Sequence, residues 1–249
     1  MNPPESSTVA RPLRLVVSDF PGEGGPLGDE VRVWVVPFNA VPLDAGELLG
    51  FLTPDEQTRA ARYKVEKARH EFVIARGLLR SLLGTHLGMV PNTVPIVYNG
   101  GGKPGLSDAV GSLHFNVTHT DGLALIALAS RPVGIDVERV RTLANPDGLV
   151  GRFFSPAEAT AYRALPAELQ MAGFFRGWTT KEAVIKAAGL TVLCLDGFDV
   201  ELHPARLPAV LAVRHAMLCA SEWRLHAWEP VPGFAAAVCL ESEIAPNTG

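Results

Sequence analysis

"FFSPAE", residues Phe153 to Glu158, has a counterpart earlier in the chain: "FLTPDE", residues Phe51 to Glu56. Each is two apolar residues, then a hydroxyl residue, then Pro, with Glu three positions after the hydroxyl. A hydroxyl N-cap, Pro at the first helical position and Glu at the third make a capping box, in which side chains satisfy the free amides of the helix start. The boxes lie about 100 residues apart and the echo spreads outward from them. "IARGLLR" (Ile74 to Arg80) answers "FFRGWTTK" (Phe174 to Lys181), and "DGLALIALA" (Asp121 to Ala129) answers "PGFAAAVCL" (Pro232 to Leu240). "VRVWVV" (Val31 to Val36), an alternating strand, answers "VGIDVE" (Val133 to Glu138). Two copies do not make a solenoid. The order strand, long helix, second helical stretch, strands predicts an α+β fold of two pseudo-twofold-related α+β halves. The first covers residues 1–130 and is irregular to about Asp29, where Pro, Gly and Ser abound. The second covers 131–249 and ends in a loose tail, "SEIAPNTG". A cleft between two such halves is a natural place for a ligand and for an active site.

The bulk properties narrow the classes. A chain of 249 residues, 47% hydrophobic and 19% charged, has the make-up of a soluble globular protein with ample core. A net charge of −4 argues against a general nucleic-acid binder and leaves room for a local basic pocket. Cys194, Cys219 and Cys239 fit neither a zinc site nor a CxxC pair and read as free thiols in a reducing cytoplasm. The first residues lack a signal-peptide pattern, and apolar runs such as "GLALIALA" are too short to span a bilayer. The expectation is a cytoplasmic protein with no membrane or nucleic-acid partner.

The two halves differ at one telling place. In "VGIDVERV" (Val133 to Val140), side chains alternate across a strand, so Val133, Ile135 and Val137 share one face. Gly134, Asp136 and Glu138 share the other, with the carboxylates about 6.6 Å apart along the strand. The first half carries Arg32 and Trp34 there. One reading is a solvated edge strand. The other is a site for a hard, oxygen-seeking cation such as Mg2+, with Gly134 leaving room for a ligand backbone or phosphate.

Further residues carry possible chemistry. "FRGWTTKEAVIKAAGL" (Phe175 to Leu190) reads as a helix ended by Gly189. Glu182 and Lys186 share its face at i and i+4, either as a plain ion pair or with Glu182 as a third carboxylate beside Asp136 and Glu138. "LHFNVTHTDG" (Leu113 to Gly122) alternates as a strand before an Asp-Gly turn, and His119 could meet a phosphate or handle a proton. "NGGGKPGL" (Asn99 to Leu106) is not a P-loop; Lys103 reads as a phosphate or adenine contact or as part of a flexible hairpin. A first long helix, expected from Thr53 to about Leu87, holds seven Lys and Arg residues, most of them solvent-facing, with one or two free to turn toward a phosphate.

Taken in order, GKP at Gly102 to Pro104, FNVTHT at Phe115 to Thr120, GIDVE at Gly134 to Glu138 and WTTKEAVIK at Trp178 to Lys186 resemble the signature of the surfactin-synthetase type of 4'-phosphopantetheinyl transferase. The resemblance covers roughly Val31 to Leu240 and includes the duplication. It implies transfer of the 4'-phosphopantetheine arm of coenzyme A, the co-substrate, to a serine of an apo acyl or peptidyl carrier protein, with release of 3',5'-ADP. It also implies Mg2+ on Asp136, Glu138 and Glu182, a catalytic Lys186, nucleotide 3'-phosphate contacts at Thr118 and His119, and an adenine-side contact at Lys103 and Pro104. Lys67 and Arg76 are the choices from the first helix for the 3'-phosphate. The serine proton is left to Glu158, Glu182 or a water on the metal. The family usually has Ser where Thr118 and Thr120 stand, a change that keeps the hydroxyl. The expected partners are carrier proteins of polyketide or nonribosomal peptide synthases, served by a monomer. A Mg2+-dependent phosphohydrolase and a non-catalytic carrier-protein docking module are the competing functions.

Overall fold

The computed structural model describes residues 13–18, 27–28, 30–41, 43–100, 102–219 and 222–242. The first half runs β1 (Arg14–Ser18), β2 (Glu30–Pro37), α1 (Ala45–Gly50), α2 (Pro54–Ala61), α3 (Glu66–Leu87), a short pair β3 (Ile96–Tyr98) and β4 (Pro104–Leu106), then β5 (His114–Thr120) and β6 (Leu123–Ala129). The second half repeats the order from β2 onward, with a short helix added before its last two strands. It runs β7 (Val133–Arg139), α4 (Pro146–Phe153), α5 (Pro156–Ala164), α6 (Ala167–Ala188), β8 (Phe198–Val200), β9 (Val210–Val213), α7 (Ala216–Cys219), β10 (Glu222–Trp228) and β11 (Phe234–Ser242). Sheet pairing repeats as well: β2-β6-β5 in one half, β7-β11-β10 in the other, all antiparallel. β1 is an addition, parallel to β2 at the sheet edge. It lies in the stretch expected to be irregular; the rest of that stretch, apart from Leu13, Leu27 and Gly28, and the tail after Ser242 fall outside the described residues.

Strand alternation sorts the core into layers. Trp34 and Val36 of β2 and Ala124, Ile126 and Leu128 of β6 pack under α3. Val31, Val33, Leu123, Leu125 and Ala127 point the other way, onto Val133, Ile135, Val137, Ala236 and Val238 of the second sheet. Ala237 and Cys239 of β11 turn outward, under α6. The order is helix, sheet, sheet, helix, with an apolar seam between the two sheets.

Both capping boxes form, with Thr53 and Glu56 at α2 and Ser155 and Glu158 at α5. Each box glutamate has a second partner that the local sequence conceals. Glu56 accepts from Arg80 of α3 (Nη2 to Oε1, 3.0 Å), and Arg80 also donates to the carbonyls of Pro91 and Val94. Glu158 accepts from Lys181 of α6 at 2.7 and 2.9 Å, and Lys181 also donates to the Phe198 carbonyl at 2.7 Å. In each half one buried cation therefore ties the short helix, the long helix and the segment after it.

This geometry corrects the single long helix expected from Thr53. Residues 24 apart on one straight helix would be about 36 Å apart, yet Glu56 and Arg80 touch. The chain breaks at Arg62–Val65, where Val65 is extended (φ −100°, ψ 119°) and Tyr63 packs against Phe72. Elsewhere the local signals hold. Gly88 and Gly189 end α3 and α6 in the left-handed region, and Asp121 and Gly122, both with positive φ, make the two-residue turn between β5 and β6.

Candidate active site

The polar face of β7 lies beneath α6. Asp136 is 5% exposed, so the solvated-edge reading does not hold for it. Gly134 is a packing position, not the ligand clearance expected: a Cβ there would stand 2.0 Å from the Ala183 carbonyl oxygen and 2.4 Å from the Ala187 nitrogen. The missing side chain lets the helix come down onto the strand and brings Lys186 to Asp136.

Asp136 Oδ1 accepts from Lys186 Nζ at 2.6 Å and from Thr118 Oγ1 at 3.1 Å. Lys186 also donates to the Ile135 carbonyl at 3.3 Å. The Ile135 amide donates to Asn116 Oδ1 at 2.9 Å. Asn116 and Thr118 share the β5 face turned to the second half, so a first-half strand clamps the second-half carboxylate. Thr118, expected at a phosphate, spends its hydroxyl on Asp136 here. Asn116 is the residue the sequence reading passed over. Its signal was alternation, which places it on one face with Thr118.

Asp136 Oδ2 is buried with no hydrogen-bond partner. Burial pushes the Asp136 carboxyl above the ordinary range, against the pull of Lys186, Thr118 and the Val137 amide. Burial also raises Glu138, with repulsion from Asp136 adding to it and the Arg141 charge and then a Trp178 hydrogen bond opposing it. Burial raises Glu182 too; Lys186 lowers it, and Asp136 and Glu138 raise it. The three carboxylates thus feel one another's charge. Among the described residues no three His, Cys, Asp or Glu side chains already converge as a metal site. The donor set still fits a hard divalent cation, because a buried carboxylate oxygen lacks a partner beside two further carboxylates.

Two clefts flank this point between the halves. One, of about 480 Å3, is lined by Tyr98, Lys103, Pro104, His114, Gly189 and Trp223 among others. Lys103 Nζ crosses it to the backbone carbonyl of Lys186. Burial first, and then Lys186, lowers its pKa from 10.5 to about 8. The other cleft, of about 590 Å3, holds Lys67, His70, Asp121 and Arg139. His119 is exposed on the β5 face opposite Thr118, its ring against Phe38 at the rim of that cleft. A smaller apolar recess joins Glu138 to Leu149, Phe153 and Trp178.

Two expected residues take other places. Arg76 sits 3.6 Å from Glu56 and donates to the Tyr98 hydroxyl at 3.0 Å, inside the first-half ion network. Glu158 is 2% exposed and has both oxygens engaged by Lys181 and by the Ser155 and Val200 amides. Neither oxygen is left free for a substrate proton, which tells against Glu158 among the three candidates for the base. The two copies contain the same box glutamate, and its work in both is structural.

The chain matches known families along most of its length. Residues 132–239 match the family described as the 4'-phosphopantetheinyl transferase superfamily, and residues 42–132 the one described as "4'-phosphopantetheinyl transferase, N-terminal". The 4'-phosphopantetheinyl transferase HetI of a Nostoc species is 37% identical over 217 residues, 86% of this chain and 89% of that one. A 4'-phosphopantetheinyl transferase of Bacillus subtilis is 30% identical, covering 65% of this chain and 72% of that one. The Sfp protein of the same species, with the same family name, is 27% identical, with 77% and 83% covered.

Proposed function

The chain belongs to the 4'-phosphopantetheinyl transferase superfamily, and from that membership we propose how its own residues carry out the transfer. The enzyme moves the phosphopantetheine arm of coenzyme A onto a carrier-protein serine. The serine oxygen attacks the phosphorus next to the arm, and the bond to the 3',5'-ADP oxygen breaks. Little covalent help is needed from the protein; positioning and charge neutralisation dominate such reactions.

Lys186 is the residue placed to meet the pyrophosphate charge, since its ammonium already lies at the carboxylate cluster, 2.6 Å from Asp136. Thr118 fixes the orientation of Asp136, and Asn116 fixes the strand that carries it. Glu182 is our choice for the serine proton. Burial raises its affinity for a proton, and it is not enclosed as Glu158 is. Asp136, Glu138 and Glu182 would hold Mg2+, which when bound neutralises pyrophosphate charge. Lys103 and Pro104 line the cleft we assign to the adenine end, and Lys67 and His119 flank the cleft we assign to the 3'-phosphate. Two halves meeting between residues 130 and 131, a cytoplasmic monomer, and service to polyketide or nonribosomal peptide carrier proteins complete the reading. No helix among the described residues is long and apolar enough to cross a membrane.

The observation that carries this reading is the Lys186–Asp136 pair, with the unpartnered Oδ2 beside it, where the halves join. The test is mass spectrometry of several apo carrier proteins incubated with the enzyme, Mg2+ and coenzyme A. The expected result is a phosphopantetheine adduct on serine, with 3',5'-ADP released only when acceptor is present. Release without acceptor would instead mark a hydrolase, and neither product would mark a docking module.

A further inference from the structure

Lys186 and the orphaned oxygen of Asp136 raise a question that the transfer reaction leaves open. Asp136 has one oxygen committed and one not. Oδ1 holds two donors, Lys186 Nζ and Thr118 Oγ1. Oδ2 is buried without a partner, on a side chain only 7% exposed. The charge of Asp136 pushes on Glu138 and on Glu182, and Lys186 attracts all three. The lysine is therefore the positive charge nearest to this carboxylate group, and its side chain is 27% exposed, with room to swing outward.

A divalent cation drawn to the same carboxylates meets that ammonium at close range. Two positive charges in a half-buried site repel with far more energy than they would in water. We infer that Lys186 and the divalent cation compete for Asp136. The lysine holds the carboxylate in the free protein and swings away from it when the cation enters. The inference rests on the assignment of Asp136, Glu138 and Glu182 as the cation's ligands. Its consequence is an order of events. The lysine freed from Asp136 is the one available to an incoming pyrophosphate, so cation entry and the arming of Lys186 are one step. Linkage makes the effect reciprocal: whatever Lys186 costs the cation in affinity, the cation costs the Lys186–Asp136 pair by the same factor.

The experiment is a titration of the full chain with Mn2+ alone, without coenzyme A, read by electron paramagnetic resonance of free Mn2+. Lys186→Met keeps the stem and removes the charge; Lys186→Arg keeps the charge; Asp136→Asn removes the shared acceptor. We expect Lys186→Met to bind Mn2+ at least about 5-fold more tightly than the wild type, the lower end of typical coupling factors. Lys186→Arg should stay near the wild type, and Asp136→Asn should lose saturable binding. Binding by Lys186→Met that is unchanged or weaker, while the wild type binds, overturns the competition and leaves the cation site standing. Loss of saturable binding in the wild type and all variants overturns both. A second measurement on the wild type decides even where Lys186→Met does not fold. Acetic anhydride labelling of Lys186, followed by peptide mass spectrometry, should speed up at saturating Mn2+ because the amine leaves its carboxylate. Unchanged or slower labelling overturns the inference.

Discussion

Adding one methyl group at Gly134 should cripple this enzyme without touching a polar residue. In Gly134→Ala the new Cβ would lie 2.0 Å from the Ala183 carbonyl oxygen, 2.4 Å from the Ala187 nitrogen and 2.9 Å from Lys186 Cβ. Ordinary contact begins near 3.4 Å, so strand and helix must part by about 1.4 Å at the tightest point. Two of the three clashing atoms are backbone, so no rotamer change relieves them. Overpacking of this kind costs about 1–3 kcal/mol, offset by roughly 0.4–1 kcal/mol from the stiffer unfolded chain. The net, about 0.6–2 kcal/mol, is a fall of roughly 1–8 °C in melting temperature for a domain of this size. Activity should suffer more. The displaced turn carries Lys186, whose ammonium is 2.6 Å from Asp136. A misplacement of about 1 Å in a catalytic array costs on the order of 100-fold. The assays are differential scanning calorimetry and the rate of holo-carrier formation at saturating coenzyme A. A variant that turns over like the wild type would refute the argument that Gly134 sets the distance from helix to strand.

Other outcomes follow from the same geometry. Lys181→Met leaves Glu158 buried with an uncompensated charge, a loss of about 3–5 kcal/mol and roughly 6–20 °C in melting temperature. The double variant Glu158→Gln/Lys181→Met should recover part of it, and a neutral single variant in urea denaturation would contradict the pairing. Lys103 has its pKa lowered to about 8 and so loses its charge as pH rises through that value. Coenzyme A affinity, measured by calorimetry, should then fall above about pH 8 in the wild type and stay flatter in Lys103→Met; parallel profiles would remove Lys103 from the anion's surroundings. Lys186→Ala should lower turnover by about 10- to 1000-fold with a smaller effect on affinity, because its charge matters most as the leaving phosphate gains charge. His119→Ala should weaken affinity more than turnover, and the reverse split would exchange the two roles.

The local parts of this protein were legible in the sequence because their causes are local. The two capping boxes bond atoms three residues apart, and the Asp121-Gly122 turn and the terminal Gly189 depend on their own φ angles. Alternation alone put Asp136 and Glu138 on one face of β7 and Asn116 with Thr118 on one face of β5, and the repeat of these signals gave the two halves.

What the sequence could not decide was which partner each polar side chain would meet. Glu158 and Glu182 are both glutamates on helices of the second half. The first is locked to Lys181, 23 positions on, and the second joins the carboxylate cluster; only the folding back of α5 on α6 separates their roles. Arg76 and Arg80 looked alike as helix cations until the break after Ala61 turned α3 toward Glu56. Thr118 and His119 are neighbours with opposite fates, because strand pleating sends one into the seam and leaves the other at the surface. Gly134 reads in sequence as clearance for a ligand, and its real neighbour is a helix nearly 50 residues later. Charge, period and caps are properties of short stretches. The chemistry of this site is a property of distances between them, which only close packing of the two halves sets.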